Sequence, residues 1–168
     1  MTGAPDHATV LDTTVLSNFA HVHRVDLLHD LPRLVTVDAV RDELEAGADS
    51  NCYLEDAVTA LEAEIPVVTP PQSAVELESR LLETLDPGEA QVLAVTEAVD
   101  GTAVTDDGDA RTIANRRDVA VTGSIGLLVR FVETDQLNVP TADDYLKHWI
   151  DDGGFRSPAR DITVFLEE

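Results

Sequence analysis

The sequence predicts an α/β protein, a three-layer α/β/α sandwich with a short central parallel sheet of about five strands. Three observations predict it. Stretches such as "RLVTV" and "TAVT" are apolar throughout rather than alternating, as expected of strands covered on both faces. Each is followed by a segment with apolar residues at helical spacing, the pattern of crossovers between parallel neighbours. At 168 residues, 43% of them hydrophobic, the chain is long enough for one domain with a true core.

In chain order, "ATVLD" reads as a strand ending in Asp12, and "TTVLSNFAHV" as a helix burying Val15, Leu16 and Phe19. "RLVTV" precedes the helix "DAVRDELEAG", and residues 51–64 read as a further helix. "IPVV" is a short strand before a helix from about Ser73. The turn "LDP" then opens the helix "GEAQVLAVTEAV". "TAVT" leads into "DDGDARTIANRR", and "VAVT" into "GSIGLLVRFVE". After Asn138 come the helix "TADDYLKHWIDD", capped by Thr141, then "GGFR", then a last helix "PARDITVFLEE" from Pro158. The division is therefore a sandwich over 1–140 and a C-terminal helical hairpin over 141–168, packed on the same domain.

The 33 acidic and 11 basic residues give a net charge of −22, and Lys147 is the only lysine. A surface so acidic repels phosphate backbones, because polyanion binding is driven by basic side chains displacing counterions. The composition resembles that of proteins from extreme halophiles, whose salt screens such self-repulsion. A single cysteine, Cys52, forms no internal disulfide, the polar start "MTGAPDH" lacks a secretory signal, and no apolar run approaches membrane-spanning length. These features predict a cytoplasmic protein with no membrane association.

Ligands of parallel α/β sheets bind at the carboxyl ends of the strands, where Asp12 and the pair Asp106 and Asp107 fall. At about 100° per residue, Glu43 lies on the face of its helix shared by Val40 and Leu44, and Glu89 lies with Val92 and Leu93. Each acid alone also suits a helix cap or a solvated helix edge. Converging without a lysine or arginine among them, they would resist ionisation unless a hard divalent cation compensates their charge. Oxygen-only donors select magnesium or manganese over zinc.

The blocks "VLDTTVLSNF", "VDAVRDELEAG", "LDPGEAQVLAVTEA" and "AVTDDGDARTIANRRDVAVTGSIGLL", with the late "GFR", resemble the successive blocks of the PIN domain over nearly the whole chain. They are most similar to a nucleic-acid-binding branch related to VapC toxins. The resemblance implies a PIN-like sandwich and a metal-dependent endoribonuclease, with the toxin of a toxin–antitoxin pair as one form of it. It places the family's four acids on Asp12, Glu43, Glu89 and Asp107, with Asp106 an extra acid able to share the role. Mg2+ or Mn2+ would be held by Asp12, Glu89, Asp107 and Asp106, with Glu43 orienting water. The third acid is commonly aspartate in the family and is glutamate here. Thr14, Ser17 and Asn18 correspond to positions that contact substrate or a ligand water, and the implied partners are RNA, a small antitoxin and a second copy of the chain.

Arg111, Arg116 and Arg117 form the densest basic cluster and could grip RNA phosphates; a helix C-terminus accounts equally for Arg116 and Arg117, and nearby aspartates could pair Arg111, for which the phosphate role fits somewhat better. "TGSIG" at 122–126 suits a tight turn or an anion site at a helix start. The five histidines read as surface residues. A non-catalytic PIN-fold module that binds nucleic acid or protein is the alternative. A phosphatase or receiver-type aspartyl-phosphate protein fits less well, since those need a lysine at the site and Lys147 lies after every strand.

Overall fold

The structure is a computed structural model that describes residues 3–166. Its strands are β1 (Thr9–Leu11), β2 (Leu34–Val37), β3 (Val67–Val68), β4 (Thr102–Val104) and β5 (Ala120–Thr122). They form one parallel sheet in the order β3-β2-β1-β4-β5, with Thr9 opposite both Leu34 and Thr102, and Thr102 opposite Ala120. The helices are α1 (Thr13–His21), α2 (Asp38–Ala48), α3 (Glu55–Ala63), α4 (Val75–Leu81), α5 (Pro87–Val99), α6 (Gly108–Arg116), α7 (Ser124–Glu133), α8 (Val139–Asp151) and α9 (Thr163–Leu166). They cover both faces of the sheet, as the alternation of apolar strand and amphipathic helix demands.

The strand order reverses between β1 and β4: the chain first builds outward through β2 and β3, then returns to add β4 and β5 on the other side of β1. Connections leaving adjacent strands in opposite directions open a crevice at their carboxyl ends. Asp12 follows β1 and Asp106 follows β4 by one intervening residue, so both acids fall at this switch point.

Three of the chain's few aromatic residues fix the helical layer around α1. Phe19 packs edge-on against Phe131 of α7, centroids 5.9 Å apart, and against Trp149 of α8 at 5.2 Å, and all three are fully buried. The Trp149 indole N–H donates to the Asn18 carbonyl at 2.6 Å, tying α8 to α1.

Three expectations need correction. β5 is not covered on both faces: Ala120 is exposed and its neighbours are half-buried, as befits an edge strand. α8 starts before Thr141, because Pro140 is pre-shaped for a first helical turn and Asn138 is the cap, its side chain accepting from the Thr141 N–H at 2.8 Å. The final helix is limited to Thr163–Leu166 rather than starting at Pro158. Ser157 and Asp161 bond locally to the backbone of Ala159 and Thr163, which favours turns over helix; Glu167 and Glu168 lie outside the described residues.

Candidate active site

Asp12 has the backbone of an N-cap but does not cap α1 with its side chain. The carboxylate instead turns across to β4, where Oδ2 accepts from the Thr105 hydroxyl at 2.6 Å and from the Thr14 hydroxyl at 3.3 Å. It is 1% exposed. Burial is the main cause that lifts its pKa to about 7; the Thr105 bond opposes the rise, and repulsion from Glu43 and Asp86 adds to it.

Glu43 projects from α2 into the junction of α1 and α5. Its Oε2 accepts from the Thr13 hydroxyl at 3.0 Å and Oε1 from the Gly88 N–H at 2.9 Å. Burial raises its pKa, and Asp86 repels it further. Gly88 permits this approach: a Cβ there would stand 2.2 Å from Glu43 Oε1. Gly88→Ala should therefore push the Glu43 carboxylate off the Gly88 N–H, and losing that bond, at about 1 kcal/mol, should offset the roughly 1 kcal/mol that alanine's helix propensity alone would add, leaving the melting temperature near that of wild type. A higher melting temperature in this variant would mean that Glu43 is not held there.

Glu89 combines the two readings open to it. Its carboxylate reaches back to the Asp86 N–H at 3.2 Å while Asp86 accepts from the Glu89 N–H at 2.9 Å, a reciprocal capping box at the start of α5. The same carboxyl is pushed up to about 8, first by burial, then by repulsion from Asp86, Asp107 and Asp12. Asp86 is thus a fifth acid of the cluster, missed in the sequence although the D-x-x-E spacing of "DPGE" signals a capping box.

The paired aspartates after β4 are divided in role. Asp107 faces the cluster and caps α6, accepting from the Ala110 N–H at 2.9 Å. Asp106 turns the other way and accepts from the Ser124 N–H at 2.7 Å, the Ser124 hydroxyl at 2.5 Å and Asn18 Nδ2 at 2.9 Å. Burial raises its pKa against the pull of these bonds and of Arg111. The helix start in "TGSIG" is therefore a true anion site, and its occupant is the chain's own Asp106.

Around these acids the hydroxyls and amides form a scaffold. Thr14 accepts from the Asp106 N–H at 3.0 Å, and the Thr105 hydroxyl accepts from the Asp107 N–H at 3.2 Å. Thr105 thereby couples Asp12 to the Asp107 backbone. Ser17 and Asn18 line an open groove with Asp106 and Asp107. Arg111 donates to the Thr105 carbonyl at 3.2 Å. Arg117 is paired with Glu97 at 2.7 Å and stands apart from the site, whereas Arg116 is exposed on the last turn of α6. Four histidines stand beside acids, at 2.9–3.9 Å; the fifth, His21, is half-buried between Tyr53 and His148 rather than on the surface. A separate surface crevice of about 650 Å³, lined by Arg33 and Arg130, contains none of these five site acids.

Among the described residues, no three His, Cys, Asp or Glu side chains converge tightly enough to chelate a metal as they stand. Two reasons are visible: Glu89 is folded onto the Asp86 N–H, and Glu43 is held by Thr13 and Gly88. The donor chemistry nevertheless suits a hard divalent cation. Asp12, Glu43 and Glu89 offer only oxygens, and like charge together with burial suppresses their ionisation.

A parallel sandwich with uncompensated carboxylates at its switch point defines a class of acid-site α/β proteins. Within it the assignment is specific: the PIN-domain profile matches residues 8–168, and the chain belongs to the PIN-domain family. PIN domains are generally nucleases and typically use divalent metals, so the fold is of nuclease type. No curated protein matches the chain significantly. No described helix is long and apolar enough to cross a membrane.

Proposed function

We propose that this PIN domain is an endoribonuclease that hydrolyses RNA phosphodiesters with Mg2+ or Mn2+ held by Asp12, Glu89 and Asp107. The observation that carries the reading is the cluster of like-charged carboxylates at the switch point, buried Asp12 beside half-buried Glu43, Glu89 and Asp107, with pKa values lifted to about 7 at Asp12 and about 8 at Glu89. The bound cation would lower the pKa of a water and stabilise charge developing on the scissile phosphate.

The chain's own residues do the rest. Thr105 and Thr14 fix the Asp12 carboxylate, and Thr105 also sets the Asp107 backbone. Glu43, anchored by Thr13 and Gly88, orients the attacking water from the edge of the site. Glu89, now bonded to the Asp86 N–H, would hold the cation in place of that bond, with a longer arm than the family's usual aspartate. Asp106 positions α1, β4 and α7 rather than serving as a principal ligand, since donors already occupy both its oxygens.

As partners we propose RNA as substrate, a second copy of the chain, and a small antitoxin presenting an arginine to the carboxylates. One observation favours a second reading, a non-catalytic binding module: among the described residues no three acids converge as the side chains stand. Cleavage of a labelled single-stranded RNA panel in molar KCl, with magnesium, manganese or EDTA, separates the two. Metal-dependent cutting by wild type, lost in Asp12→Asn and Asp107→Asn, is expected. Folded wild type that cuts nothing under any metal would leave the binding module.

A further inference from the structure

The segment between α8 and α9 carries the motif "GGFR". In the structure it folds back over the acidic edge. Gly153 and Phe155 both donate their N–H to the Trp149 carbonyl, at 3.0 and 2.9 Å. Gly154 takes the left-handed conformation, φ +71, that a side chain would strain. The turn hangs from Trp149, whose indole is bonded to Asn18, the residue that also holds Asp106. Its position is thus set by the site's own scaffold.

Two grooves meet under this turn. One, about 410 Å³, runs past Ser17 and Asp107; the other, about 350 Å³, runs past Arg111 and Phe165. Asp106, Phe155 and Arg156 line both, so together they form a path from the acid cluster toward α9. Of the chain's four phenylalanines, Phe19 and Phe131 are fully buried, while Phe155 and Phe165 are half-buried and both line this path. Arg111 and Arg156 line it as well; among the described residues Arg156 is in no ion pair although acids outnumber basic residues 33 to 11, while Arg111 donates to the Thr105 carbonyl and acts electrostatically on the neighbouring Asp106.

We infer that the path is a binding site for single-stranded nucleic acid, with Arg156 and Arg111 contacting phosphates and Phe155 stacking against an unpaired base. Two cations and two aromatic side chains lining one path suit a strand whose bases are free, since a duplex hides its base faces. The turn gives an otherwise repellent molecule a local cationic entry beside its carboxylates. This inference rests on the nuclease reading for its biological sense, but its test is binding.

The test uses the full-length chain carrying Asp12→Asn, in magnesium, titrated with a labelled single-stranded RNA, its DNA equivalent and an RNA duplex across a KCl series. Both single strands are expected to bind, the duplex roughly tenfold more weakly. Adding Phe155→Leu, which keeps an apolar contact with Trp149, should weaken the single strands about tenfold. Adding Arg156→Ala should weaken them and reduce the salt slope by about 0.7, a change that loss of packing alone does not produce. Melting temperatures of both variants should match the parent. Single-strand affinity unchanged within twofold in both variants, equal duplex binding, or no binding by the parent would overturn the inference. Specific binding without cleavage by the chain with Asp12 restored would remove the nuclease reading and keep the groove; cleavage with variant-insensitive binding would do the reverse.

Discussion

Replacing Asp12 with asparagine is expected to abolish metal-supported cleavage and, in the absence of metal, to stabilise the protein at pH 8. The first effect follows from losing the ionised oxygen most deeply set in the cluster, and a fall of at least ~10²-fold is expected, since even groups that merely support a metal ligand are worth 10–100-fold. The second follows from burial. A carboxyl whose pKa rises on folding binds its proton more tightly in the folded chain. Its contribution is therefore neutral below the unfolded pKa near 3.8, turns unfavourable as pH rises, and reaches its full penalty above the folded pKa of about 7.

Between pH 5 and pH 8 that penalty grows by about 2–3 kcal/mol for a group so fully buried, and asparagine carries none of it. The melting temperature of Asp12→Asn minus that of wild type, measured in EDTA, should accordingly increase over this interval by roughly 5–10 °C. His21, whose pKa is lowered by burial and by His148, has the opposite trend in the same range, but it is common to both proteins and cancels in the difference. Divalent cation should raise the wild-type melting temperature more at pH 8 than at pH 5 and have little effect on the variant. A difference that stays flat with pH would show that Asp12 ionises normally and that the cluster is not under electrostatic stress.

The sheet and the position of its acids were readable because the signal is local. A strand such as "TVL" ending in Asp12, or "TAV" leading to Asp106 and Asp107, announces both the element and its functional end within a few residues. Helical periodicity likewise placed Glu43 on the inward face beside Val40 and Leu44. The long-range partners were hidden. Nothing near Asp12 reveals that its oxygen belongs to Thr105, 93 positions away, or that Glu43 is locked by Thr13 and by Gly88 across a gap of 45. "TGSIG" read more readily as a tight turn than as an anion site, because the anion it binds, Asp106, is brought to it only by the β4–β5 pairing. The tail was misread for a related reason: the composition of "PARDITVFLEE" suits a helix, while bonds from Ser157 and Asp161 to the backbone divert its first half into turns.

The adjacent aspartates after β4 provide the second large contrast, because their sequence equivalence ends at their side chains. Asp106→Asn should cost about 2 kcal/mol. With one oxygen kept for the Ser124 N–H, the new amide must face Asn18 Nδ2, setting donor against donor there, while the Ser124 hydroxyl must turn from donor to acceptor. The three elements that Asp106 joins remain packed through Phe19 and Phe131, so cleavage well below the melting temperature should persist. Asp107→Asn should behave oppositely. Asparagine caps a helix as well as aspartate does, so α6 and the melting temperature should be preserved within about 0.5 kcal/mol, but the charge directed at Glu89 is gone and cleavage should fall at least ~10²-fold. Paired melting curves and single-turnover cleavage rates for the two variants resolve the assignment. A stable, inactive Asp106→Asn beside an active Asp107→Asn would move the metal to the Ser124 side of the switch point and require Asp106 to release donors that now hold both its oxygens.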